Sequence, residues 1–148
     1  MPRVTPLVLE RLRARAAFVD GRSALKTRAN WPVTRFAAFG PRARWDHVRF
    51  VNGMVAATPT EVMVGFFHGM MAHDKHAALE AMSGVETLVM VGERDRLTST
   101  AHARRIAGAL PRARLVEIPG AGHMIGLERP ETVNGELLGL LRRALARP

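Results

Sequence analysis

The sequence predicts an α/β fold in which a helical segment, residues 1–82, precedes a βαβα unit, residues 83–148, with two parallel strands. Near residue 84 the pattern changes from irregular helices to an alternation of strand and helix. The first predicted strand, 85–91, is a short and nearly continuous apolar run, as strands covered on both faces are, and residues 114–118 form the second predicted strand. Because a helical stretch separates them, a right-handed crossover should make them parallel.

The helical segment begins with a basic amphipathic stretch at residues 7–18, which Asp20 and Gly21 interrupt. Residues 28–42 contain proline and glycine breaks and receive no assignment. A second helix is predicted from apolar residues at helical spacing, namely Trp45, Val48, Val51 and Val55.

A third helix is predicted to start at Thr58 and to run to about Ala72. Thr58 can cap the helix, Pro59 suits the first position because no N–H is needed there, and Glu61 can bond back to the cap. Asp74 is then expected to cap a short helix that covers residues 76–82.

In the second half, a polar loop at 92–98 leads to a predicted helix at 99–110, before the second strand. A glycine-rich loop at 119–122 leads to a final helix at 130–146. That helix has an apolar stripe formed by Val133, Leu137, Leu141 and Ala144.

Parallel pairing fixes where two polar residues lie. Asp95 follows the end of the first strand and His123 follows the end of the second. The carboxyl ends of parallel strands share one edge of the sheet, where α/β proteins place their sites. The sequence therefore predicts that these two side chains become neighbours.

The composition favours an ordinary globular domain over a specialised binder. The net charge is +9, and residues 1–50 hold 11 Lys and Arg against 3 Asp and Glu. Such an excess of cations is typical of a surface that binds nucleic acid or an anionic membrane. Twenty of the 22 cations are arginine and aromatic content is 5% without tyrosine, so stacking platforms for nucleic acid are scarce. We expect no nucleic-acid partner.

Cysteine is absent, so disulfides and thiolate chemistry are excluded, and we expect a cytoplasmic protein. No apolar run reaches the roughly 18 residues that span a bilayer. His68, His73 and His76 lie close to Asp74 in sequence, but capping explains that aspartate, and we expect no metal site.

Three motifs in order resemble the C-terminal half of the α/β-hydrolase superfamily. Residues 87–98, TLVMVGERDRLT, resemble the strand and acid loop; residues 118–124, IPGAGHM, resemble the histidine loop; residues 127–134, LERPETVN, resemble the start of the last helix. The resemblance implies a partial α/β-hydrolase fold, with residues 1–82 as a helical cap or lid.

The resemblance also implies a catalytic triad chemistry without a cofactor. His123 would act as the general base and acid, and Asp95 would fix its tautomer and stabilise the imidazolium. Gly120 and Gly122 would let the histidine loop turn tightly. Glu93 is the rival acid; a plain loop histidine and an arginine-paired loop carboxylate are the non-catalytic alternatives.

The family's nucleophile motif, Gly-x-Ser-x-Gly, does not occur in the sequence. Ser23 lies in the nearest approach to it, residues 21–25, but a leucine replaces the last glycine and no strand precedes it. We therefore expect the sequence to begin inside the cap, and the missing N-terminal half to be a partner. The two-stranded sheet should then be marginally stable because an edge is bare.

The implied activity is hydrolysis of an ester or similar acyl bond of an apolar substrate, as in a serine esterase or lipase-like hydrolase. The substrate pocket is expected to involve Phe66, Phe67, Met70 and Met124. We expect the chain alone to be inactive because it lacks the nucleophile. Haloperoxidase-like or epoxide-hydrolase-like activity on the same fold, and a non-catalytic interaction module, remain as alternatives.

Overall fold

The computed structural model describes residues 6–146, apart from the side chains of Pro6, Leu9 and Ser23. The chain forms two compact units. The helical unit comprises the residues up to Arg35 together with Trp45–Asp74, and the strand unit comprises Phe36–Arg44 and the residues from Lys75 onward. The division therefore differs from the single boundary that the sequence suggested between residues 82 and 83.

Over residues 6–35 and 45–74, the helical unit has five α-helices. Their bounds are α1 Pro6–Ala14, α2 Ala16–Asp20, α3 Ser23–Val33, α4 Trp45–Ala57 and α5 Thr60–Met71. The predicted break after Asp20 is confirmed. Helix α3 covers the first part of residues 28–42, for which the sequence pattern predicts no element. Its helical path continues into a π-helical turn at Thr34–Ala38.

The start of α5 corrects the predicted cap. Thr58 Oγ1 donates to the carbonyl of Met54, 3.0 Å away, and so does not cap the next helix. Pro59 is extended (φ −56°, ψ 139°) and leaves Thr58 outside the helix. The Asp20 carboxylate instead accepts bonds from the Thr60 amide at 2.9 and 3.1 Å and from the Thr60 hydroxyl at 2.6 Å. The cap thus comes from a residue 40 positions away.

Lys26 and Asn52 supply the polar part of the core of this unit. Lys26 Nζ lies 2.7 Å from the Asp20 carboxylate and also donates to the carbonyl of Thr58. The buried Asn52 donates to the carbonyl of Thr27 and accepts from the hydroxyl of Thr34. These bonds satisfy polar groups that burial would otherwise penalise.

In the strand unit, the part of the chain from Lys75 to residue 146 forms two strands, three α-helices and a 3₁₀ helix. The bounds are 3₁₀ His76–Met82, β1 Thr87–Gly92, α6 Thr100–Gly108, β2 Ala113–Ile118, α7 Ile125–Glu128 and α8 Pro130–Leu145. The strands pair in parallel, with Thr87 opposite Ala113 and Gly92 opposite Ile118, so the predicted topology is confirmed. The short helix is a 3₁₀ helix rather than an α-helix, and the residue at its N-cap is Lys75, where the sequence predicted Asp74.

Two bidentate ion pairs attach β2 to the helices on either side of it in sequence. Arg104 of α6 binds Glu117 at 2.6 and 2.7 Å, and Arg114 binds Glu136 of α8 at 2.7 Å. The fork of a guanidinium matches a carboxylate in this geometry. These pairs orient the helices that precede and follow the strand.

Apolar residues are not all buried. On α8, the leucines of the predicted stripe, Leu137 and Leu141, are exposed rather than part of a core. Within residues 6–146, no single helix is long and apolar enough to cross a bilayer. The pair α4 and α5 meets that test of length and composition only when taken together, across a bend of 99°.

Candidate active site

The loops that leave β1 and β2 bring an acid and an imidazole together at the carboxyl edge of the sheet. His123 Nδ1 lies 2.9 Å from Asp95 Oδ2. The Asp95 side chain is 4% exposed and the His123 side chain is 36% exposed, so the acid is buried behind a ring that solvent can reach. The predicted juxtaposition is therefore present in the structure.

Asp95 is held by the loop that follows it. Its Oδ1 accepts bonds from the amides of Leu97 and Thr98, both at 2.8 Å, and its Oδ2 accepts from the Thr98 hydroxyl at 2.7 Å. Burial raises the pKa of Asp95. The hydrogen bonds from Thr98, His123 and Leu97 lower it by more than burial raises it, so the net pKa lies below the ordinary 3.8. The group is thus an anion when it faces the imidazole.

Thr98 is a site residue that sequence reasoning missed. Its hydroxyl contacts both members of the pair, because it also lies 3.3 Å from His123 Nδ1. The available signal was the spacing Asp-x-x-Thr, which is typical of an aspartate that accepts bonds from residues two and three positions ahead.

The histidine loop depends on a segment distant in sequence. The amides of His123 and Met124 donate to the carbonyl of Ala38 at 2.8 and 3.1 Å. Gly120 has a φ of +66°, which confirms that the loop turns through a conformation that favours glycine. These bonds explain why residues 36–44 belong to the strand unit.

Three glycines let the backbones of this region touch. A Cβ on Gly92 would overlap the carbonyl oxygens of Ala121 and Gly122. A Cβ on Gly122 would lie 2.5 Å from the amide nitrogen of Gly40, and one on Gly40 would overlap the carbonyl oxygen of Gly120. The role of Gly122 is thus close approach, whereas the sequence suggested a tight turn.

Glu128, at the end of α7, joins two of these backbones. Its Oε1 accepts from the amide of Gly122 at 2.8 Å, and its Oε2 accepts from the amide of Gly40 at 2.9 Å. The sequence placed Glu128 in a family-like motif but gave it no role. Its partner Gly40 lies 88 positions away, so no local pattern indicates the contact.

Glu93, the rival acid, is placed differently. It accepts from the amide of Gly120 at 3.0 Å and lies 3.9 Å from the guanidinium of Arg94. The bond to the imidazole is made by Asp95. The geometry therefore favours Asp95 as the partner of His123.

The remaining predicted residues are divided between the two units or lie outside the described side chains. Phe66, Phe67 and Met70 belong to α5 in the helical unit, whereas Met124 follows His123 in the strand unit. Ser23 begins α3, and its side chain lies outside the described residues. Within residues 6–146, no cluster of three or more His, Asp or Glu side chains is arranged to hold a metal.

The arrangement can move a proton. The bond to Asp95 engages Nδ1, so Nε2 is the nitrogen that can take a proton from a hydroxyl or return one. The buried anion stabilises the imidazolium that forms when His123 is protonated.

Comparison with known proteins shows which family the chain resembles. The model of the "Alpha/beta hydrolase family" matches residues 2–136. The "Putative carbamate hydrolase RutD" of Caulobacter vibrioides is 31% identical over 103 residues, which cover 67% of this chain and 38% of that protein.

Solved structures give the same result. A thermophilic esterase from Thermogutta terrifontis has a TM-score of 0.72 and 25% identity, covering 95% of this chain and 52% of that one. A bromoperoxidase from Bacillus anthracis has a TM-score of 0.65 and 20% identity, covering 93% of this chain and 49% of that one, and so shows the fold alone. The chain spans about half the length of these two structures.

Proposed function

Because the chain belongs to the alpha/beta hydrolase family, we propose that it supplies the acid and the base of a serine hydrolase that cleaves ester bonds of an apolar substrate. The observation that supports this is the 2.9 Å contact between His123 Nδ1 and Asp95 Oδ2. The esterase likeness of the Thermogutta terrifontis structure supports the choice of substrate bond.

In the proposed reaction, His123 Nε2 removes the proton of a serine hydroxyl as its oxygen attacks the ester carbonyl. The imidazolium is stabilised by Asp95 and then protonates the leaving alcohol. Water repeats the sequence on the acyl-enzyme, with His123 again as base. No cofactor is needed for these steps.

The sequence contains no Gly-x-Ser-x-Gly motif. In this proposal, the nucleophilic serine therefore comes from another segment of polypeptide. The chain alone is then inactive as an esterase. The helical unit takes the role of the cap. Phe66, 71% exposed on α5, offers apolar surface that suits an acyl chain.

The test begins with the DNA directly upstream, where an in-frame strand followed by Gly-x-Ser-x-Gly is expected. The longer product should hydrolyse p-nitrophenyl butyrate. Its His123→Ala and Asp95→Asn variants should lose on the order of 10⁴-fold in kcat, the loss seen when a triad loses its acid. Glu93→Gln is the matched control and should retain most of the activity.

The chain of 148 residues, assayed alone, should show no turnover above the buffer rate. Turnover by the chain alone that is lost on Ser23→Ala would contradict the proposed origin of the nucleophile. Full activity of the longer His123→Ala protein would contradict the hydrolase proposal itself.

A further inference from the structure

We propose that Glu128 is a positioning residue whose carboxylate fixes the His123 loop against residues 38–40 and so sets the imidazole against Asp95. Its importance for catalysis rests on the proposed function. The geometric part of the inference concerns this chain alone and is tested without any substrate.

The contacts of Glu128 place it between two segments that are far apart in sequence. One carboxylate oxygen accepts from Gly122, the residue directly before His123, at 2.8 Å. The other accepts from Gly40 at 2.9 Å. Both glycines are buried, so their amides need a protein acceptor, and a charged acceptor makes the stronger bond.

The His123 loop and residues 38–40 meet through glycine backbone, so side chains cannot set the distance between these two segments. A Cβ on Gly122 would lie 2.5 Å from the carbonyl carbon of Phe39 and 2.5 Å from the nitrogen of Gly40. The register of the segments therefore depends on hydrogen bonds. Those to Ala38 from His123 and Met124 form one part, and the two bonds of Glu128 form the other.

Two acceptor oxygens are needed for this task. A carboxylate offers an acceptor to both amides at once, whereas a glutamine offers one oxygen and one NH₂ group. In Glu128→Gln, a donor faces the amide of either Gly40 or Gly122. A displacement at Gly122 moves the next residue, His123, and lengthens its bond to Asp95.

The experiment follows the Nδ1–H proton of His123 by NMR on the full chain. Its signal is assigned by its loss in Asp95→Asn. In Glu128→Gln this proton should exchange with water about tenfold faster or more, the change expected for weakening of one hydrogen bond. Glu131→Gln, which removes the same charge from an exposed position on α8, is the matched control and should leave exchange unchanged.

Glu128→Asp covers the case in which Glu128→Gln does not fold. It keeps the charge but is one methylene shorter, so it reaches only one amide, and exchange should again be faster than in the wild type. A folded Glu128→Asp or Glu128→Gln protein with the wild-type signal and exchange rate would overturn the proposal, as would a wild-type His123 without a protected Nδ1–H. Since ester hydrolysis is not measured, absence of esterase activity in the longer product would refute the proposed function and leave this result standing.

Discussion

At the scale of single residues, Thr98 contacts both members of the Asp95–His123 pair. The Thr98 hydroxyl lies 2.7 Å from Asp95 Oδ2 and 3.3 Å from His123 Nδ1. It donates to the carboxylate, and this bond contributes to the lowered pKa of Asp95. Thr98 therefore helps to keep the acid ionised although it is nearly buried.

Substitution of Thr98 by valine should raise the pKa of Asp95 relative to the wild type. Valine keeps the shape of the side chain but removes the donor that stabilises the charged form. The ¹³C shift of the Asp95 carboxyl carbon, followed against pH, measures the change. Thr132→Val, at an exposed position on α8, is the control and should leave the Asp95 titration unchanged.

Two glycine substitutions should act in opposite directions. Gly92→Ala places a methyl group onto the backbone of Ala121 and Gly122, and overpacking of this kind costs about 1–3 kcal/mol or more. Gly135→Ala meets nothing within 4 Å in the middle of α8 and should stabilise the chain by about 0.5–1 kcal/mol. Urea unfolding measures both, and equal midpoints would contradict the described close approach.

The positions of some of these residues could be predicted from the sequence and those of others could not. Asp95 and His123 follow from topology, because the ends of parallel strands share an edge whatever the details of the loops. Thr98 lies within the local pattern of an aspartate turn. The contacts of Glu128 could not be predicted, because one of them is with Gly40 and sequence spacing indicates nothing about a contact across 88 positions.

At the scale of elements, Asp20 ties the end of α2 to the starts of two other helices. It accepts from the amide and hydroxyl of Thr60 at the start of α5 and from Lys26 in the first part of α3. The Lys26 bond, followed by those of Thr60, lowers the pKa of Asp20 to about 2. One carboxylate thus fixes three elements of the helical unit.

The Asp20→Asn variant should melt several degrees below the wild type at neutral pH. Because the folded pKa of about 2 lies below the ordinary 3.8, the stabilisation is complete above 3.8 and is lost as the pH falls toward about 2. The two melting temperatures should therefore converge across that range. Circular dichroism melts at several pH values measure this, with Glu10→Gln as a surface control.

The predicted cap at Thr58 shows why element boundaries resist prediction from sequence. Thr58-Pro59-Thr60-Glu61 has every local feature of a helix start, and a helix does start there. The cap nevertheless comes from Asp20, because Pro59 adopts an extended conformation and directs Thr58 back to α4. Local patterns indicate where a helix begins, while tertiary contacts decide which group satisfies its amides.

At the scale of the whole molecule, α8 presents an uncovered apolar face. Four leucines at helical spacing are between 42% and 83% exposed: Leu137, Leu138, Leu141 and Leu145. A contiguous patch of this kind is unusual on a monomer and promotes association. The bare edge that a two-stranded sheet leaves should add to this tendency.

The chain alone should self-associate with increasing concentration, and Leu138→Gln/Leu141→Gln should weaken that association. Burial of each leucine is worth roughly 1.5 kcal/mol, so loss of both should lower the association constant about 100-fold while the helix content stays the same. Sedimentation velocity measures the change. Leu110→Gln, at a buried position, should instead unfold the chain; a monomeric wild type at all concentrations would contradict the prediction.

The π-helical turn at Thr34–Ala38 supplies the carbonyl that holds the His123 loop in place. A π-turn holds one residue more than the α-helical turn it replaces. Deletion of Ala37, one residue of this turn, would let regular α-helical bonding resume and would shift Ala38 by one position relative to the loop that it contacts. The carbonyl of Ala38 would then be out of register with the amides of His123 and Met124. Such a deletion would leave a folded helix but remove part of the support of the His123 loop.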